Sequence, residues 1–266
     1  MIHRSARVPA AVLTGALVAF GPAVAVSIAA PPAASDVLAD RSLHLAGAPN
    51  ARDLGGYRTV DGRTVRTGVA FRTDQLNNLT PADLAELTRL GVRDVDDLRT
   101  VYERALGPDR IPAGAHANWY DVIGAAPLPE LMSTLAGGDD LYRAFITAPG
   151  ASQAVAGVLR DIAESGHDGG AVLFHCTAGK DRTGWVAAVL LTVLGVDRAT
   201  VTEDYLLSNQ YRAAAAGDPL SGVKKEWLDS AFDQVAATYG SFDRYVSEGL
   251  RLSPAEVDAL KQRMLS

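Results

Sequence analysis

The chain contains one cysteine, Cys176, and six positions later an arginine, Arg182, with Thr177, Ala178, Gly179, Lys180 and Asp181 between them. A thiol and a guanidinium at that spacing suit attack on phosphorus: the sulfur sits under the reacting atom while the guanidinium forks two of its oxygens. The flanking residues fit the same chemistry. Ala171 to Phe174, running directly into His175, reads as a short buried strand, and Trp185 to Leu194 reads as an apolar helix. A strand, a tight turn containing Gly179 and a helix beginning near Thr183 would ring an anion with backbone amides at a helix N-terminus. Placed there, beside Arg182 and Lys180, the thiol is expected to ionise below the roughly 8.5 of free cysteine. A cysteine that merely packs at a strand end requires none of these polar neighbours.

Each residue of the loop has an expected role. Cys176 is the nucleophile. Arg182 and the amides of Thr177, Ala178, Gly179 and Lys180 bind the phosphoryl oxygens, and Thr183 donates a hydrogen bond to the departing sulfur. His175 is expected to be buried and to order the loop instead of acting as a base. Two other chemistries fail on the residues present. A nucleotide-binding loop needs Ser or Thr after the lysine and glycine five residues before Gly179, where this chain has Asp181 and Phe174. A serine hydrolase elbow, Gly-x-Ser-x-Gly, occurs nowhere in the sequence.

The segment resembles the protein tyrosine phosphatase signature, Cys-x5-Arg followed by Ser or Thr. With the loop His175 to Gly184, the segment Asn50-Ala51-Arg52-Asp53-Leu54-Gly55-Gly56-Tyr57 and the segment Asp204 to Asn209, it is most similar to the atypical bacterial tyrosine and lipid phosphatases, which are often secreted. The resemblance covers roughly residues 45 to 215. It implies a phosphomonoesterase that needs no metal or other cofactor and acts on phosphotyrosine, with phosphoserine, phosphothreonine and phosphoinositides as further substrates. It also implies a carboxylic acid to protonate the leaving group. Asp181 corresponds to the acidic loop residue of the atypical branch and is the first choice. Asp121, in Trp119-Tyr120-Asp121, faintly resembles the Trp-Pro-Asp loop of the mainstream family without its proline, and is second. Asp97, before Leu98-Arg99-Thr100, is third. The segment at Asn50 is expected to pack against the loop, and Ser208 or Asn209 to hydrogen-bond it. A phosphate-binding pseudophosphatase and a sulfurtransferase are the competing readings.

The remaining sequence must supply the elements that position these groups. With 266 residues, 48% of them hydrophobic and 21% charged, the chain suits one globular domain. A net charge of -6 and a pI near 5.4 leave no electrostatic footprint for nucleic acid, so an anionic substrate must be held by local positive charge. A single cysteine excludes an intramolecular disulfide and a multi-cysteine zinc site. Strands are predicted at Val69 to Phe71, Val92 to Val95 and Ala171 to Phe174. Helices are predicted after the capping residues Thr80 and Ser253 and near 139–148, 151–165, 183–194, 197–214, 222–238 and 241–250. The alternation predicts a single α/β domain with a central, mostly parallel sheet flanked by helices, over residues 41–266. Before it, a basic lead with Arg4 and Arg7, an apolar run from Ala10 to Ala30 and the small residues of Ser27-Ile28-Ala29 predict a signal peptide over 1–29, then a disordered start over 30–40. The chain is thus expected to be secreted, with a retained N-terminal membrane anchor as the alternative.

Overall fold

Five strands form one sheet: β1 (Arg52–Asp53), β2 (Ala70–Thr73), β3 (Val92–Asp97), β4 (His116–Trp119) and β5 (Ala171–His175). Their order across the sheet is β1-β2-β5-β3-β4, with β1 antiparallel to β2 and every other pair parallel. This is a computed structural model, and it describes residues 41–124, 137–164, 169–215 and 217–266. The signal peptide and disordered start expected over residues 1–40 lie outside the described residues.

The order of the strands decides where the cysteine emerges. β5 is central, and its His175 pairs with Thr73 of β2 on one side and Asp97 of β3 on the other. Parallel strands bring their C-terminal ends to one edge, where α/β folds build their sites. Cys176 therefore leaves the sheet between the ends of β2 and β3.

The helices are α1 (Pro81–Arg89), α2 (Val101–Leu106), α3 (Asp139–Thr147), α4 (Ala151–Ala163), α5 (Arg182–Val193), α6 (Arg198–Tyr211), α7 (Lys225–Tyr239) and α8 (Pro254–Met264). A short helical turn at Phe242–Arg244 runs into a π turn, Tyr245–Gly249, in the stretch where one continuous helix was predicted. The buried ring of Tyr245 packs there among Trp185, Tyr239 and Phe242. The helices at 80 and 253 begin as the sequence predicts, each with a capping box and a proline in its first turn.

Alternating strand residues serve two cores. Phe71, Val95 and Leu173 face a cluster with Leu79 and Leu87 beside α1. Val172 and Phe174 face the larger cluster built by α4, α5 and the helices beyond. In α5, Thr183 through Leu191 are all buried, so the helix behind the cysteine loop is clamped on every side. β1, β4 and α2 have no counterpart among the predicted elements. They are short, and no residue of β4 or α2 is buried.

Candidate active site

The loop between β5 and α5 turns its amides inward because its carbonyls are held from outside. Gln75 N donates to the Thr177 carbonyl at 3.2 Å. Asn50 Nδ2 and Arg212 Nη1 donate to that of Ala178 at 3.1 and 3.0 Å, and Arg72 Nη2 to that of Gly179 at 2.9 Å. In a planar trans peptide the N–H points opposite to the C=O, so the amides of Ala178, Gly179 and Lys180 face the enclosed side. Gly179 is required at its place. Its φ is +66°, and a Cβ there would lie 2.5 Å from the Thr73 carbonyl oxygen and 2.6 Å from the Asp74 nitrogen. Cys176 opens the loop and is buried, and Thr183 carries a buried hydroxyl with no hydrogen-bond partner among the described residues.

Arg182, in the first turn of α5, is fixed by a residue that the sequence reading missed. Its Nη1 and Nη2 donate to Glu103 Oε2 and Oε1 at 2.8 and 2.6 Å, a two-pronged pair, and Thr177 Oγ1 donates to the same carboxylate. Burial alone would lower the Arg182 pKa. The Glu103 hydrogen bonds, with the charges of Cys176, Glu103 and Asp181, instead raise it above its ordinary value. Glu103 answers in kind: against burial, its bonds with Arg182 hold it well below the usual carboxylate range. The signal for it was present. Thr100 and Glu103 form a capping box of the Thr-x-x-Glu pattern, which starts α2 and aims Glu103 at the loop.

Behind the loop lies a buried ion network. Asp204 pairs with Arg52 at 3.4 Å and with Arg72 at 2.7 Å, and accepts from Tyr57 at 3.0 Å. Arg52 also donates to Asn50 Oδ1 at 2.7 Å and Ser208 Oγ at 3.2 Å. Burial and the nearby Arg72 charge push Arg52 down to about 10, against the pull of Asp204. Burial would raise Asp204, but the charges of Arg52 and Arg72 hold it below the ordinary range. The segments at Asn50 and Asp204 thus meet each other and, through Asn50 and Arg72, the loop. Asn209 faces elsewhere, bonding the backbone of Val223 through both side-chain atoms.

The three carboxylates considered as the acid fall in different places. Asp181 lies at the N-cap of α5, and its Oδ1 accepts from Tyr142 Oη at 2.9 Å. Tyr142 in turn accepts from Tyr205 Oη at 2.6 Å, both rings being buried. Burial and the Asp181 charge raise Tyr142 well above a normal phenol. Lys180 is almost fully buried, its ammonium 3.1 Å from Asp181 and 3.2 Å from the Pro219 carbonyl, over the Trp227 ring. Asp121 instead caps its own turn, accepting from the amides of Ile123 and Gly124 at 3.1 and 2.6 Å. Asp97 is buried in a two-pronged pair with Arg99 at 2.9 and 2.8 Å.

His175 is buried, with Nδ1 3.2 Å from the Cys176 carbonyl and Nε2 3.2 Å from Asp109 Oδ2. Asp97, Asp109 and His175 offer ligand atoms within 4.8 Å of one another. The Arg99 guanidinium already joins the two carboxylates, with Nη2 2.7 Å from Asp109, so the group carries its own counter-charge. An anion cradle backed by fixed cations, with a thiol at its base and a carboxylic acid at its rim, can bind a phosphate monoester and displace its alcohol.

Residues 43–266 match the family described as the tyrosine phosphatase family. A Cupriavidus necator protein named provisionally as a tyrosine-protein phosphatase is 32% identical over 254 residues, covering 85% of this chain and 90% of its own. The triple specificity protein phosphatase PtpB of Mycobacterium tuberculosis is 32% identical over 279 residues, covering 83% of this chain and 98% of its own. Among solved structures, P. aeruginosa TpbA in complex with pTyr aligns at 18% identity with a TM-score of 0.36, covering 75% of this chain and 88% of that one.

Proposed function

The chain belongs to the tyrosine phosphatase family and is a protein-tyrosine phosphatase, and from that premise we propose a mechanism and substrate range for it. Cys176 Sγ attacks the phosphorus of a bound phosphate monoester. An S–P bond forms as the P–O bond to the leaving oxygen breaks, and Asp181 gives that oxygen its proton. Arg182 and the inward amides of the loop hold the three equatorial oxygens, where charge accumulates in the transition state. In the second step water loses a proton to Asp181 and attacks the phosphocysteine, and inorganic phosphate leaves. Thr183, whose buried hydroxyl has no partner among the described residues, donates to the departing sulfur. The observation that carries this reading is the pairing of Arg182 with Glu103 next to Cys176, because it aims a guanidinium whose charge is secured at the place a phosphate would fill.

The substrates we propose are phosphotyrosine and, beyond it, phosphoserine, phosphothreonine and phosphoinositides. The triple specificity in the name of the M. tuberculosis relative supports a range wider than tyrosine. We also propose that residues 1–29 direct export and are cleaved, leaving a secreted enzyme. The basic lead, the apolar run and the small residues at Ser27 and Ala29 support this. Among the described residues no helix is long and apolar enough to cross a membrane.

The deciding experiment measures phosphate release from p-nitrophenyl phosphate, a phosphotyrosyl peptide and a phosphoinositide, in chelator, by the wild type and by Cys176→Ser. Turnover by the wild type alone is expected, and rapid quenching should trap phosphate on Cys176. Activity that persists in Cys176→Ser would rule the mechanism out.

A further inference from the structure

The polar side chains of α2 face the protein and its apolar ones face water. Glu103 reaches Arg182, and the Arg104 guanidinium lies 4.3 Å from the centre of the Trp119 ring. At about 100° per residue, Val101, Ala105, Tyr102 and Leu106 share the arc that these two leave. All four are exposed, Tyr102 at 71% and Leu106 at 89%. A helix that packs on a core does the reverse. The apolar face continues onto the edge strand β4, because Val101 and Ala105 line one cleft with Trp119, itself 69% exposed. Six large apolar side chains stand exposed among the described residues, and four of them, Val101, Tyr102, Leu106 and Trp119, lie here. Single exposed apolar residues are ordinary, whereas a concentration of them marks a contact surface.

Charge and residue type select what the surface contacts. From Val101 to Trp119 the acids are Glu103 and Asp109, and both are taken up, by Arg182 and Arg99. The cations are Arg104, over Trp119, and Arg110, which donates to the Leu79 carbonyl. Neither has a carboxylate partner among the described residues. The face is therefore locally positive on a chain of net charge -6. Fields fade within roughly 8–10 Å at physiological salt, so the local charge decides what approaches. Tyrosine and tryptophan beside leucine and arginine are the residues that suit the boundary between lipid headgroups and acyl chains.

We propose that α2 and Trp119 seat the protein on an anionic lipid surface. Tyr102, Leu106 and Trp119 enter the headgroup layer, and the charges of Arg104 and Arg110 draw the face to lipid phosphates. Because α2 also carries Glu103, docking there holds the cysteine loop beside the bilayer, where a phosphoinositide presents its phosphate. Only that consequence rests on the substrate range proposed above.

The test uses tryptophan emission. Of the three tryptophans Trp185 and Trp227 are buried, so Trp119 reports on this face. The full chain is titrated with phosphatidylcholine vesicles, with and without phosphatidylserine, that carry lipid brominated in its acyl chains. Bromine quenches by contact, so a chain held only through the apolar run Ala10 to Ala30 would leave Trp119 bright. Quenching is expected on the phosphatidylserine vesicles and is expected to vanish in Trp119→Phe. Cys176→Ser should be quenched like the wild type, which separates docking from catalysis. Tyr102→Ser combined with Leu106→Ser should weaken binding about tenfold or more, the loss expected from two buried apolar side chains. Arg110→Gln should weaken it about fivefold on phosphatidylserine alone. Melting temperatures check that the variants fold. No quenching, quenching that survives Trp119→Phe or the double variant, or equal quenching without phosphatidylserine would each overturn the proposal. So would Trp119 emission that shifts with protein concentration in the absence of lipid, which would assign the face to a second copy of the chain.

Discussion

In the proposed mechanism, Tyr142 is the side chain that sets where Asp181 delivers its proton. Its hydroxyl touches the carboxylate and is itself held by Tyr205, so the acid is steered from the core and not from solvent. Tyr142→Phe removes one hydrogen bond worth about 1 kcal/mol, and is expected to lower kcat about fivefold with little change in KM. Single-turnover kinetics with a poor leaving group, which needs the proton most, should lose more than with p-nitrophenol; equal losses would mean that Tyr142 only packs. Glu103 makes a second case. Its pKa is depressed in the fold, so its stabilising pairing with Arg182 is fully present above the unfolded value near 4.3, and is lost as pH falls through the folded value. Glu103→Gln should cut kcat/KM about ten- to a hundredfold by freeing the guanidinium, and should also remove part of the acid-side loss of stability. A variant with wild-type kcat/KM would show that Arg182 orients itself.

Among the elements, those with strong local patterns were legible in the sequence and those held by others were not. β5 and α5 could be read because an apolar run meets Cys176 and an apolar helix follows Arg182, and α1 and α8 because capping boxes open them. In the four residues of β4 the alternation of Ala117 and Trp119 with His116 and Asn118 is too short to read, and the strand is set by register with β3, where Asn118 pairs with Asp96 and bonds the acids beside it. Six residues of α2 bury none of themselves, and only the Thr100–Glu103 box announced them. The loop was readable for the same reason as β5, since its residues are adjacent in sequence. Glu103 and Tyr142 come to it across the fold, 73 and 34 residues before Cys176, and no local pattern records that. The segments at Asn50 and Asp204 stand between these cases. Their sequences were recognisable, but the buried Arg52–Asp204–Arg72 cluster joining them is tertiary. Asp204→Asn leaves two buried guanidiniums short of a counter-charge, and a loss of about 3–5 kcal/mol is expected in urea unfolding. Because Arg72 also holds the Gly179 carbonyl, activity should fall even in the folded fraction. A stable, fully active variant would show that the loop stands without this backing.

Across the whole molecule, stability against pH is set by two carboxylate groups of opposite habit. Asp204 and Glu103 are depressed, so what they contribute is present above the unfolded carboxylate values and fades as pH falls through their folded ones. On the face of the sheet toward α4, Asp96 is buried against Asp161 and Asp94, with Asn118 donating to all three and Tyr120 donating to Asp161 at 2.6 Å. Burial first, then the Asp161 charge, raises Asp96 well above the carboxylate range. Burial first, then the Asp94 charge, raises Asp161. A raised acid works the other way: its contribution is full below the unfolded value and is lost as pH rises through the folded one. The cluster therefore weakens the fold on the alkaline side, where both acids are pressed to ionise, while the ion network weakens it on the acid side. Asp96→Asn keeps the shape, removes one charge and supplies a donor facing Asp161. It is expected to raise the melting midpoint at pH 8 by about 2–4 °C, the shift that about 1 kcal/mol produces in a chain of this size. At pH 4, where the wild-type Asp96 keeps its proton, the two proteins should melt together. A gain of equal size at both pH values would mean that packing, and not a withheld proton, separates them.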